Sequence, residues 1–352
     1  MDMIRVMIVE DSATVREMLV YLFASEPDIE VAGIAKDGEE AVAIVSKLKP
    51  DIILMDINMP HLNGYEAAQK IMETNPTPIL LMSATWDINE IEKIVKSMHI
   101  GVLGVYEKPY GPSHPRFQEL YNKILLDLRL MSDVKVVRRW NHTDNSKKSD
   151  FKSIQQRECA KPCSFVVIGS STGGPPVLHD ILKALPRDYP LPILIAQHMS
   201  GEFIESFTQW LNGECALNIK KAQEGEKISA GNVYIAPAKY HLALKSDRIT
   251  LIEAQEKELS VPSISKLFSS VLQGNPSQAV AILLSGMGSD GSDEMKKLKD
   301  AGAITIGQNE ATSVVFGMAN EAIKMGGIEF VLSPEGITEL LLSMQITNKE
   351  TA

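Results

Sequence analysis

The chain has 352 residues, 44% of them hydrophobic and 23% charged, with a net charge of -10 at pH 7. That length exceeds the roughly 100 to 200 residues of a usual domain, so two domains are expected, and the acidic balance disfavours a nucleic-acid partner. Cys159, Cys163 and Cys215 form neither an even set nor a CxxC spacing, which argues against a disulfide frame or a zinc site.

From residue 4 to about 130, apolar runs alternate with amphipathic ones: IRVMIV, TVREMLVYLFAS, IEVAGI, GEEAVAIVSKL, DIILMD, NGYEAAQKIMETN, TPILLMS, INEIEKIVKSM, GVYEK and RFQELYNKILLDLRLM. Five strands interleaved with five helices predict a doubly wound five-stranded parallel sheet of α/β class. The next stretch, 137–162, is polar and aperiodic and reads as a linker, with a short helix allowed in SDFKSIQQRE. A second alternating series starts with SFVVIG at 164 and runs through LPILIAQ, NVYIAP, HLALKS, RITLIEA, AVAILLSG and AITIG. It predicts a three-layer α/β domain with a mainly parallel sheet and some antiparallel pairing near 232–253. The expected organisation is 1–130, a linker over 131–162, and a second domain over 163–348. No apolar run approaches the ~18 residues that span a bilayer, so a cytoplasmic protein without membrane insertion is expected.

In open parallel sheets the functional crevice lies beyond the carboxyl ends of the strands. The first domain puts Glu10 and Asp11, Asp56, Ser83 and Lys108 there. Three carboxylates close together repel, and an all-oxygen set of this kind suits Mg²⁺. The strings VEDS, LMDINMPHLNG, MSAT and YEKP resemble the response-regulator receiver domain, a flavodoxin-like fold, over residues 1–128. The resemblance implies Asp56 as phosphoacceptor, Glu10, Asp11 and Asp56 as Mg²⁺ ligands, and Lys108 and Ser83 as contacts to the phosphoryl group. It also makes Lys108–Pro109 a candidate cis peptide and implies a histidine kinase as phosphodonor. Val105 stands where the family usually has an aromatic switch residue, with Tyr106 beside it.

The second domain opens on GSSTGGPP after an apolar strand. No lysine follows as a P-loop requires, and the second glycine of a dinucleotide fingerprint is missing. Gly169, Ser171 and Gly173 do fit Gly-x-Ser-x-Gly on a strand-to-helix turn, which lifts a serine hydroxyl above a sheet. A serine needs a base. Beyond the linker only His179, His198 and His241 are available. His179 is expected to face outward from a helix and His241 opens a strand, whereas His198 ends a strand parallel to that of the serine. Asp290, in SGMGSDG, reaches the same rim; the plainer reading of that loop is a glycine-rich turn with Asp290 as a helix N-cap. No histidine follows His241, which disfavours an α/β-hydrolase.

The order Ser, His, Asp with IGSSTGG, AQHM and LLSGMGSDG, together with QNEATSVVFGM and GNVYIAPAKYHL, resembles the chemotaxis protein-glutamate methylesterases, the CheB family. The resemblance implies Ser171 as nucleophile, His198 as general base, Asp290 as the residue that orients it, and the N–H groups of Thr172 and Met287 as an oxyanion hole. No cofactor is implied at this site. The implied function is phosphorylation-activated hydrolysis of glutamate methyl esters, and deamidation of glutamine, on methyl-accepting chemoreceptors. Val261 stands where the family usually has arginine, Ser200 where proline is common and Trp210 where arginine is usual. A serine esterase with another cytosolic target, and a response regulator with a non-catalytic output domain, are the alternatives.

Overall fold

In the computed structural model the described residues are 3–83, 88–109, 111–134, 163–199, 201–255, 258 and 260–350. Most of the expected linker, including SDFKSIQQRE, lies outside them, as do Ser200 and the last two residues of MSAT. The chain divides into two compact units, Met1–His142 and Thr143–Ala352.

The first unit runs β1 (Ile4–Val9), α1 (Ala13–Ala24), β2 (Ile29–Ala35), α2 (Gly38–Leu48), β3 (Ile52–Asp56), α3 (Gly64–Thr74), β4 (Ile79–Ser83), α4 (Ile88–His99), β5 (Gly104–Glu107) and α5 (Phe117–Met131). Its sheet is parallel, in the order β2-β1-β3-β4-β5. Strands β3 and β4 are buried on both faces, which explains their unbroken apolar runs. Ser12, Asp37 and Asn63 each accept a backbone N–H three residues on and start α1, α2 and α3, a contribution of about 1 kcal/mol per cap. Strand order reverses between β1 and β3, so the crevice opens above the ends of those two strands.

The second unit runs β6 (Phe165–Ser170), α6 (Gly174–Ala184), β7 (Ile193–Gln197), α7 (Gly201–Glu214), β8 (Asn218–Lys221), β9 (Asn232–Ile235), β10 (Tyr240–Lys245), β11 (Arg248–Glu253), α8 (Ile264–Leu272), β12 (Ala279–Leu283), α9 (Ser292–Asp300), β13 (Ile304–Gln308), α10 (Met318–Lys324), β14 (Phe330–Leu332) and α11 (Pro334–Glu350). Seven strands form one parallel sheet, β14-β13-β12-β6-β7-β9-β8. Connections leave the central strand β6 in opposite directions, which makes its carboxyl end the switch point of this sheet.

Antiparallel pairing is narrower than expected: β9 joins the parallel sheet, and only β10 and β11 form a hairpin. The hairpin and the main sheet share one core through α8, with Leu242, Leu244 and Ile249 packed among Leu267, Phe268, Val271, Val167 and Ala281. The short edge strands β8 and β14 escape sequence reading because NIKK and FVL are half-exposed and lack a sustained apolar run. Among the described residues no helix is long and apolar enough to cross a membrane.

Candidate active site

In the first unit, Glu10 and Asp56 are buried and Asp11 is exposed, and one carboxylate oxygen from each lies within 4.8 Å of the others. Lys108 Nζ sits 3.1 Å from Glu10 and 2.7 Å from Asp56. Burial, reinforced by the Asp56 charge and opposed by Lys108, pushes the Glu10 carboxyl up to about 7. Asp56 is also raised by burial against the pull of Lys108. For Lys108 burial acts downward, but its bonds to the two carboxylates win and hold its pKa above the ordinary value. Glu10 Oε2 and Asp56 Oδ2 are buried without a well-aligned hydrogen bond. Three carboxylates against one ammonium leave excess negative charge, so this oxygen set fits a divalent cation such as Mg²⁺.

Ser83 is buried beside this cluster; its carbonyl accepts the Lys108 N–H at 2.8 Å, and its hydroxyl lies 3.4 Å from Glu90. Val105 and Tyr106 point to opposite faces of β5, as successive strand residues must. Tyr106 is turned inward and bonded to Asp127 on α5, so it does not replace an aromatic at 105 on the same face. The Lys108–Pro109 bond is not cis, contrary to expectation; among the described residues the cis peptide is Val261–Pro262. Lys108 reaches the carboxylates from this trans backbone, held by its amide to the end of β4.

The second site stands at the switch point of the larger sheet. Ser171 follows β6, His198 follows β7 and Asp290 follows β12. The strand ends are laced together: His198 N donates to Ser170 O at 2.9 Å, Ser171 N to Ser285 O at 3.1 Å, and Leu284 N to Gly169 O at 2.9 Å. Gly173 turns the chain into α6 with φ of 76°, a conformation that favours glycine, and Pro175 and Pro176 sit in the first turn, where a missing N–H costs nothing.

The imidazole of His198 lies between its two partners, with Nδ1 3.2 Å from Ser171 Oγ and Nε2 2.9 Å from Asp290 Oδ2. An ionised carboxylate only accepts hydrogen bonds, so Nε2 carries the proton and Nδ1 offers its lone pair to the serine. Burial alone would raise the Asp290 carboxyl. The hydrogen bonds from His198 and Ser265 outweigh it and hold the group well below the usual carboxylate range. The arrangement is chemically competent for acyl transfer: a serine, a base aimed at it, and an anion behind the base.

Asp290 does not cap the helix that follows it. Gly291 occupies the N-cap of α9 and has no side chain to accept the first-turn N–H groups. The carboxylate instead caps α8, accepting Ile264 N at 2.8 Å and Ser265 N at 2.9 Å, with Ser263 Oγ at 3.3 Å. His179 is likewise not turned outward: its ring packs on Trp210 with centroids 4.7 Å apart. Trp210 is itself buried against Phe207, since α7 turns this face to the core.

Ser171 N is engaged by Ser285, whereas the N–H groups of Thr172 and Met287 have no acceptor among the described residues. The loop bearing Met287 is clamped by 315–318: Gly286 N donates to Val315 O, and Gly286 O accepts from Gly317 and Met318. A Cβ on Gly286 would stand 2.6 Å from Ser171 Cβ, so glycine is what lets this loop lie against the serine.

Three further polar residues support the site and were not singled out from sequence. Gln197 Nε2 donates to the carbonyls of Ser171 and His198 at 3.1 and 3.0 Å. Ser285 Oγ donates to Thr172 O at 2.8 Å and accepts Val315 N at 3.1 Å, while Gln308 accepts Ser285 N at 2.7 Å. All three are almost wholly buried. A polar residue ending an apolar, fully buried strand, as in ILIAQ and ITIGQ, is the available signal, because a buried amide must find partners.

The chain matches the CheB methylesterase family over residues 166–341 and the response regulator receiver domain over residues 6–116. It is similar to a protein-glutamate methylesterase/protein-glutamine glutaminase of Nitrosospira multiformis, 44% identical over 99% of each chain. A protein of the same description from Geobacter metallireducens is 42% identical, covering 97% of this chain and 99% of its own. Among solved structures, the Thermotoga maritima CheB methylesterase catalytic domain superimposes with a TM-score of 0.50 at 35% identity, over 52% of this chain and 98% of that one.

Proposed function

The chain belongs to the CheB methylesterase family and carries a response regulator receiver domain, and from that premise we propose that Ser171, His198 and Asp290 carry out its hydrolysis of glutamate methyl esters on chemoreceptors. The enzyme is a protein-glutamate methylesterase and protein-glutamine glutaminase. The observation that carries the assignment of residues is the single imidazole within hydrogen-bonding distance of both Ser171 Oγ and Asp290.

Ser171 Oγ attacks the ester carbonyl while His198 Nδ1 takes its proton. The imidazolium so formed is stabilised by Asp290, whose carboxylate stays ionised because four donors converge on it. The oxyanion of the tetrahedral intermediate is received by the N–H groups of Thr172 and Met287, each contributing roughly 3 kcal/mol. His198 then returns the proton to the departing methoxy oxygen and methanol leaves. In the second half, water gives its proton to His198 as it attacks the acyl-enzyme, and release of the glutamate carboxyl restores Ser171. With glutamine the leaving group is ammonia and the same groups act.

Regulation belongs to the receiver. Glu10, Asp11 and Asp56 would hold Mg²⁺, which when bound offsets phosphoryl charge during transfer to Asp56. The phosphodonor is a histidine kinase of the chemotaxis system, acting in the cytoplasm. Lys108 and Ser83 then contact the phosphoryl oxygens, and the roughly two added negative charges shift the unit away from a restraining state.

The test is methanol release from membranes bearing methylated chemoreceptors, with and without acetyl phosphate and Mg²⁺, with Ser171→Ala as control. Serine-dependent release that rises with phosphodonor is expected. Covalent labelling of Ser171 by a fluorophosphonate without methanol release would keep the esterase and reject the receptor substrate.

A further inference from the structure

His241 is wholly buried, carries a titratable ring, and takes no part in the hydrolytic steps. Both its nitrogens are used. Nδ1 accepts the backbone N–H of Ser263 at 2.8 Å, so the proton resides on Nε2, which donates to Glu258 Oε2 at 2.5 Å. The other Glu258 oxygen accepts Lys266 Nζ at 2.5 Å. These bonds, that from Lys266 first, bring the Glu258 carboxyl down to about 2, so the acceptor for Nε2–H is an anion.

What His241 grips is the start of α8. Ser263 is the N-cap of that helix, and its hydroxyl accepts Lys266 N at 3.2 Å while reaching Asp290 Oδ1 at 3.3 Å. The next two amides, of Ile264 and Ser265, bind the Asp290 carboxylate directly. Ser265 Oγ closes the contact by accepting Gly291 N at 2.8 Å. Asp290 is thus held between the imidazole it steers and a helix terminus that a second histidine–carboxylate pair secures from behind. The pair joins β10 to the segment just before α8.

We propose that His241 is a positioning residue for hydrolysis: with Glu258 holding its proton on Nε2, its Nδ1 accepts the Ser263 amide and so sets the N-terminus of α8, and through it the orientation of Asp290 against His198. The inference rests on the proposed roles of Ser171, His198 and Asp290. An angular error in Asp290 passes directly to the lone pair that His198 presents to the serine, and displacements near 1 Å lower turnover on the order of 10²-fold.

Two isosteric substitutions in the full-length protein separate positioning from simple packing. In His241→Asn the amide oxygen occupies the place of Nδ1 and still accepts Ser263 N–H; in His241→Gln the amide falls at the place of Nε2 and that acceptor is lost. Turnover of p-nitrophenyl acetate is followed alongside thermal unfolding, with Ser171→Ala as control. His241→Asn should keep kcat within about threefold of wild type, and His241→Gln should lower it about 10- to 100-fold with KM changed less than about twofold. Equal kcat values in the two variants would overturn the inference, as would losses that merely follow the melting temperature. Absence of Ser171-dependent turnover in the wild-type protein would instead overturn the proposed catalytic assignment and the inference with it.

Discussion

Replacing Asp290 by asparagine should separate its two duties, because an amide cannot present acceptors in both directions. Oδ2 accepts His198 Nε2 and Ile264 N, while Oδ1 accepts Ser265 N. If the asparagine oxygen takes the place of Oδ2, the His198 tautomer survives and one backbone amide, that of Ser265, faces an NH₂ group. If it takes the place of Oδ1, Ile264 N is orphaned and the NH₂ also forces the opposite tautomer, with the proton moved to the nitrogen that should receive the serine proton. The first orientation sacrifices less and is expected. The catalytic loss is then that of the charge behind the imidazolium, about 1.5 to 3 kcal/mol, or roughly 10- to 150-fold in kcat. The orphaned Ser265 amide should lower stability by about 1 to 3 kcal/mol. Both are read from one preparation, by steady-state ester hydrolysis and by urea unfolding. A kcat within twofold of wild type would refute the role given to Asp290. A 10⁴-fold loss would show the amide seated the other way, with Ile264 N orphaned in place of Ser265 N, as wrong-tautomer variants behave.

Ser171→Ala should reduce kcat by about 10⁴-fold or more and abolish fluorophosphonate labelling; persistent labelling would identify a different nucleophile. In Gly286→Ala the new methyl group would stand 2.6 Å from Ser171 Cβ and 2.2 Å from Met318 Cε, against an ordinary contact of about 3.5 to 4.0 Å. Met318 can yield but the serine at the strand end cannot, so kcat should fall about 10²-fold, and near-normal turnover would contradict that packing. Mg²⁺ needs Glu10 ionised, and its carboxyl is raised to about 7 in the metal-free receiver. Protons compete below that value, so calorimetric Mg²⁺ affinity should be about tenfold weaker at pH 6 than on the plateau above pH 7; a flat response would exclude Glu10 as a ligand. Asp56→Asn should leave unstimulated methanol release intact while removing its response to acetyl phosphate.

The placement of the proposed site residues near strand ends was legible before any coordinates. Glu10, Asp56, Ser171 and His198 each stand at or near the end of an apolar run that reads as a buried parallel strand, and such strands deliver their last residues to one rim. Chain order and local motif therefore carry both sites, because the physics that places these side chains acts within a few residues of each. The edge strands β8 and β14 were not legible, since their three or four half-exposed residues acquire strand geometry from a neighbour rather than from their own pattern.

Tertiary structure decided what each polar group does with its remaining valences. Nothing local to SGMGSDG says that Asp290 caps a helix starting 26 residues earlier in the chain, nor that the His198 ring turns Nδ1 toward the serine. The placement of His241 and His179, one gripping Ser263 and the other lying on Trp210, is equally a matter of which distant segments share a core. A hydrogen bond is satisfied by geometry at about 3 Å whatever the separation along the chain. The sequence determines which donors and acceptors exist and on which rim they emerge; only the packed fold decides which of them meet.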